Sequence, residues 1–103
     1  MITLMKLNND IIELIKAYIP LFASFRHVYL FGSVLNPDIP HNDIDILVIY
    51  TEYSSKIGGD LRLISDKLAK ISELPVDLTA LSVEEEKDTA FLKKIKPHYL
   101  KLK

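Results

Sequence analysis

The chain of 103 residues contains no cysteine, which excludes disulfides and thiolate metal ligands and suits a reducing compartment. It also lacks any apolar run long enough to cross a bilayer. The start of the chain has no secretory pattern, because Asn8, Asn9, Asp10 and Glu13 follow Met1 too closely to leave an uninterrupted apolar core. These absences predict a cytoplasmic protein with no membrane contact. An excess of one charge is missing too: thirteen basic side chains stand against fourteen acidic ones, a net charge of −1. No broad electropositive surface is therefore expected for an extended nucleic acid, and a free-standing polymerase is disfavoured. There is no internal repeat, linker or low-complexity segment, and the length supports one domain, residues 1–103, with a single small core.

What is present is an ordinary folded composition, 49% apolar and 26% charged, arranged in short periodic segments. Asn8 to Asp10 offer capping side chains ahead of Ile11, Ile12, Leu14, Ile15 and Ile19, which recur at helical spacing and predict a helix over 9–18 that ends or kinks at Pro20. His27 to Phe31 reads as a strand, followed by room for one helical turn over 33–36 before Pro37 and Pro40, and a polar loop to Asn42. Ile44 to Tyr50 is almost wholly apolar and rich in Ile and Val, as a central strand covered on both faces should be. A loop is expected over 51–59 because of the adjacent Gly58 and Gly59, then a helix in which Leu61, Ile64, Leu68 and Ile71 form one face. Pro75 opens a third strand over 76–81, and Ser82 with Glu85 predicts a capping box starting a helix over 83–94. The fold class is thus α/β (α+β): a small mixed sheet of three to four strands with helices packed against it.

The chemistry concentrates between Val28 and Tyr50. Asp43 and Asp45 begin the second strand two residues apart, so they face the same way about 7 Å apart. Such a like-charged pair is tolerable when a divalent cation lies between, and hard carboxylate oxygens suit Mg²⁺. Upstream, the first strand ends in Gly32-Ser33, where a residue without a side chain lets backbone approach a ligand and a hydroxyl can cap a turn whose N–H groups attract phosphate. Asp77 is a third acid inside an apolar strand, a place where aspartate is disfavoured unless it has a partner. Singly, each feature also reads as a turn, a cap or a solvent-facing strand residue; their order and spacing favour a joint role.

Phe31-Gly32-Ser33, a nine-residue spacer, Asp43-Ile44-Asp45-Ile46 and then Asp77 on the strand after the intervening helix resemble the DNA polymerase beta-type nucleotidyltransferases. The short length resembles most the minimal members, antitoxin partners of HEPN-domain toxins. The resemblance implies a palm-like sheet, a short closing edge strand over 98–102, and a cytoplasmic Mg²⁺-dependent enzyme. It would transfer AMP from ATP to a hydroxyl of a HEPN-type toxin. In that reading Asp43, Asp45 and Asp77 hold two Mg²⁺ ions, Asp77 also accepts the proton, and Gly32 and Ser33 bind triphosphate. Family members often carry an arginine shortly after Gly-Ser, whereas Val34-Leu35-Asn36-Pro37 has no basic residue, so Lys56 or Arg62 is expected to neutralise phosphate. Two alternatives stay open: a weak or inactive relative that neutralises its partner by binding, and an enzyme modifying a small molecule such as an aminoglycoside, with a homo- or hetero-oligomer completing its site. Phe31, Tyr50 and Tyr53 fit core packing better than base stacking, and His27, His41 and His98 have no evident catalytic partner.

Overall fold

The computed structural model describes residues 8–35, 43–95 and 98–103, without the side chains of 8–10, 33 and 34. Its centre is the strand β2 (Ile44–Tyr50), flanked on one side by antiparallel β1 (His27–Phe31) and on the other by parallel β3 (Val76–Ser82). The short β4 (Tyr99–Lys101) pairs antiparallel with β1, so the four-stranded order is β3-β2-β1-β4. The strands begin and end within a residue or so of the segments expected from their apolar runs.

Alternation along β2 divides the sheet into two faces. Ile44, Ile46 and Val48 point with Val28 and Leu30 toward α1 (Asn8–Ala17), the 3₁₀ turn Ile19–Phe22 and α2 (Ser55–Ser72). That main core is closed by Ile11, Ile15, Phe22, Phe25, Ile57, Ile64 and Leu68, all almost without exposure. Pro20 converts the end of the first helix into 3₁₀ geometry, which keeps Phe22 in the core. The opposite face carries a smaller cluster of Tyr29, Leu47 and Ile49, against which Val83, Phe91 and Leu92 pack. Among the described residues no helix is long and apolar enough to cross a membrane.

Two expectations are corrected. Residues 55–59 belong to α2 rather than to a loop: Ser54 accepts a hydrogen bond from the Ile57 N–H, and Ile57 anchors this first turn in the core. A Cβ at Gly58 would meet the Tyr53 hydroxyl at 2.8 Å, the far end of a 64% exposed side chain that can move aside. The final helix is also not continuous. The capping box forms as expected, with Ser82 N–H donating to Glu85 Oε1 at 2.8 Å and Glu85 N–H to Ser82 Oγ at 3.0 Å. However, α3 (Val83–Thr89) stops at Ala90, whose φ of 52° is left-handed, and α4 (Phe91–Ile95) starts in a new direction. Glu86 Oε2 accepts the Leu92 N–H at 3.2 Å, replacing a bond the break removes.

A domain this small depends on each well-filled core position. Leu68→Ala is expected to lower the unfolding free energy by about 2–5 kcal/mol, whereas Leu63→Ala, at a 55% exposed position of the same helix, should stay within about 0.5 kcal/mol of the parent. Urea denaturation of both variants checks the assignment of the buried helix face.

Candidate active site

Register places the chemistry on the less covered face. Across the sheet, Tyr99 on β4 lies opposite Phe31 on β1, Phe31 opposite Asp45 on β2, and Asp45 opposite Asp77 on β3. Residues in register share a face, so these four side chains form one row with adjacent strands about 4.8 Å apart. Asp43 precedes β2 by one residue and is half-buried, as is Asp45, whereas Asp77 is exposed on the edge strand. The Asp45 carboxyl is held above the usual aspartate range, first by burial and then by the charges of Asp43 and Asp77. The sequence-predicted acids are therefore brought into electrostatic contact.

Gly32 completes this end. It follows β1 directly, opens the 3₁₀ turn Gly32–Leu35, and has φ of 85°, where only glycine is unstrained. A Cβ built at this position would collide with the Asp45 carboxylate. The backbone turn thus lies directly against the central acid, a cradle that any side chain would fill. Ser33 follows in the turn, and its hydroxyl lies outside the described residues, as does His41.

The oxygen-only donors, their common face and the glycine cradle are of the kind that Mg²⁺ takes. As they stand, no three His, Asp or Glu side chains among the described residues are close enough together to hold a metal ion. The fit is one of donor type and register, and closing it requires side-chain movement at Asp43 or at exposed Asp77.

Lys56 and Arg62 are not brought to this row. α2 starts beyond Tyr50, five residues or about 16 Å along β2 from Asp45, and packs Ile57, Ile64 and Leu68 on the opposite face of the sheet. Lys56 Nζ instead contacts Asp60 Oδ2 at 2.9 Å and Ser24 Oγ at 3.0 Å. Ser24 also donates to Asp60, whose carboxyl is lowered by that hydrogen bond first and by Lys56 second. This cluster ties the segment after the 3₁₀ turn to α2. Arg62 is exposed on the same helix. Tyr50 likewise belongs to the far end, packed edge-on against Tyr53 with ring centroids 5.8 Å apart.

One part of the site was not anticipated. Phe31 meets Phe91 edge to face at 5.6 Å, and Tyr29 meets Tyr99 at 5.3 Å, so aromatic rings wall the acid row on the β1 side. Phe91, which reaches Phe31, directly follows the break at Ala90, which no residue type in that stretch signals.

The family model for polymerase beta-type nucleotidyltransferases (Polymerase beta, Nucleotidyltransferase) matches residues 9–98. Among solved structures, the chain is similar to one in a complex of tri-AMPylated Shewanella oneidensis HEPN toxin with MNT antitoxin. The identity is 26% and the TM-score 0.51, over 93% of this chain and 68% of the other. A toxin–antitoxin structure with AMP-PNP gives 27% identity and a TM-score of 0.56, over 93% and 72%. The toxin–antitoxin MntA–HepT gives 25% and 0.50, over 93% and 68%. The comparison with curated proteins gives no significant match.

Two outcomes follow from the geometry. Gly32→Ala should lose more than about 1 kcal/mol of stability, since alanine at positive φ is strained, and should displace Asp45; denaturation and Asp45 side-chain NMR read both effects. Because the folded protein holds the Asp45 carboxyl above its ordinary range, the carboxylate ionises more readily in the unfolded chain. The protonated form favours folding, and that stability is lost as pH rises through the raised value. Asp45→Asn should therefore raise the melting temperature of the metal-free protein at pH 7, with the difference vanishing below about pH 4; thermal melts across pH test the sign.

Proposed function

Because this chain belongs to the polymerase beta-type nucleotidyltransferase family, we propose that it transfers AMP from ATP to a hydroxyl on a HEPN-type toxin and acts as that toxin's antitoxin. The observation that carries this reading is the in-register row of Asp45 and Asp77, with Asp43 acting on the same charge and the Gly32 backbone against Asp45. The structural likeness to complexes of HEPN toxin with MNT antitoxin, one of them tri-AMPylated, supports the nature of the acceptor.

In this proposal Asp43 and Asp45 would hold one Mg²⁺ and share a second with Asp77. When bound, Mg²⁺ supplies charge neutralisation on the triphosphate and lowers the pKa of the acceptor hydroxyl. Asp77, exposed on the edge strand, would receive that hydroxyl's proton. Gly32 offers backbone to the phosphates at close range because no side chain intervenes. The acceptor oxygen bonds to the α phosphorus, the bond from that phosphorus to the bridging oxygen breaks, and pyrophosphate leaves.

A second reading, a module that neutralises its partner by binding alone, is favoured by one observation: neither Lys56 nor Arg62 reaches the acid row. The two separate in a single experiment with the chain, its neighbouring-gene partner, ATP and Mg²⁺. Nucleotide adducts on the partner by intact mass, falling more than about a hundredfold in Asp45→Asn, support transfer, since even groups one layer outside a metal's ligands are worth ten- to hundredfold. No adduct with either protein, together with unchanged partner binding, would leave the binding module as the function.

A further inference from the structure

The opposite end of the acid-bearing face has a feature of its own. Val83, Glu86 and Lys87 stand at i, i+3 and i+4 on α3 and so look the same way. With Leu92 of α4 they close over the start of β1, leaving an open cleft of about 200 Å³ bounded on the sheet side by Arg26, His27, Tyr29 and Ile49. Ile49 is four residues from Asp45, about 13 Å along β2, so this cleft is separate from the acid row.

Its polar groups are unevenly satisfied. Arg26 and Lys87 are exposed, and neither has a carboxylate partner among the described residues. The Arg26 main chain is held beside β2, its N–H donating to Ile49 O at 2.7 Å. His27 Nδ1 is shielded from solvent and, among the described residues, has no hydrogen-bond partner, an arrangement that costs free energy. Glu86 spends one oxygen on the Leu92 N–H and keeps the other free to accept. Tyr29 keeps its hydroxyl proton as a donor, because burial first, and then Tyr99 and Glu86, push its pKa up.

We propose that this cleft binds a small phosphate monoester. Two unpaired cations match a phosphate dianion, and the His27 ring lines the cleft beside them. Glu86 accepts from a hydroxyl of the ester's organic part, whose carbons rest on Ile49, Val83 and Leu92. The cleft volume of about 200 Å³ is below the usual range for drug-sized ligands and suits a phosphorylated three- to six-carbon compound better than a whole nucleoside triphosphate.

The test follows the His27 ring resonances by NMR at pH 7.5 without Mg²⁺, while inorganic phosphate or glycerol 3-phosphate is added. The expected result is a saturable His27 shift with both probes, tighter with the ester. The double variant Arg26→Gln with Lys87→Gln should weaken binding at least about tenfold, because each charge-assisted hydrogen bond is worth more than the 1.4 kcal/mol that tenfold represents. Both substitutions are at exposed positions, and retention of the folded spectrum is checked in the same samples. An unsaturable His27 shift, equal affinity in the double variant, or binding of phosphate without the ester would each overturn the proposal.

Discussion

The acid-bearing end of this molecule depends on the register of β2. Asp43 and Asp45 stay on one face only because Ile44, Ile46 and Val48 are completely buried on the other. A slip by one residue would drive two carboxylates into the main core, where an unpaired charge is costly. β1 and β3 pair with β2 along nearly its whole length, so the same burial also sets Phe31 and Asp77 beside Asp45. The chemistry is thus held by residues that take no part in it. Gly32 is the one exception: it touches Asp45 directly, and its positive φ lets the backbone turn at the point of contact.

The two ends of the acid-bearing face are finished differently. At the Asp45 end the row is open, with Asp77 exposed on an edge strand. At the Ile49 end α3 and α4 lie over the sheet, and the change of direction at Ala90 lets Phe91 reach Phe31 while Leu92 remains over the second core cluster. The break thus gives the acid row its aromatic side and the cleft its Glu86–Leu92 edge from one local conformation.

These contrasts explain what the sequence made legible. β1 and β2 are bounded by polar residues and filled with Ile, Val, Leu and aromatics, so their ends coincide with the composition change. The three acids stand out because aspartate is rare in such strands, and the capping box of Ser82 and Glu85 is a local pattern with local geometry. The start of α2 was misread because glycine weakens a helix by only about 1 kcal/mol, less than the core burial of Ile57 returns. The left-handed Ala90 has no sequence mark, as alanine is the strongest helix former and the turn is imposed by Phe91 and Leu92. Lys56 and Arg62 follow the acids in the chain, but the parallel pairing of β2 with β3 starts the connecting helix at the far end of β2 and lays it on the other face. Neither parallel pairing nor face can be read from two basic residues.

Electrostatics gives the acid row its meaning. Burial and two neighbouring carboxylates raise the Asp45 pKa, and among the described residues no lysine or arginine pairs with Asp43, Asp45 or Asp77. A fold shaped by stability alone would place an amide or an apolar residue at Asp45, because the charge is unfavourable there and the glycine it requires next to it is entropically costly too. The missing positive charge therefore has to arrive from outside the row. Lys56, the nearest basic residue after β2, is committed to Asp60 and Ser24. In the proposed function, a divalent cation bound with a nucleotide triphosphate would meet that need by charge and by ligand type. Burial first, and then the repulsion of Asp43 and Asp77, raise the Asp45 pKa; in the proposed function that cost would be offset when the counter-charge arrives with the substrate.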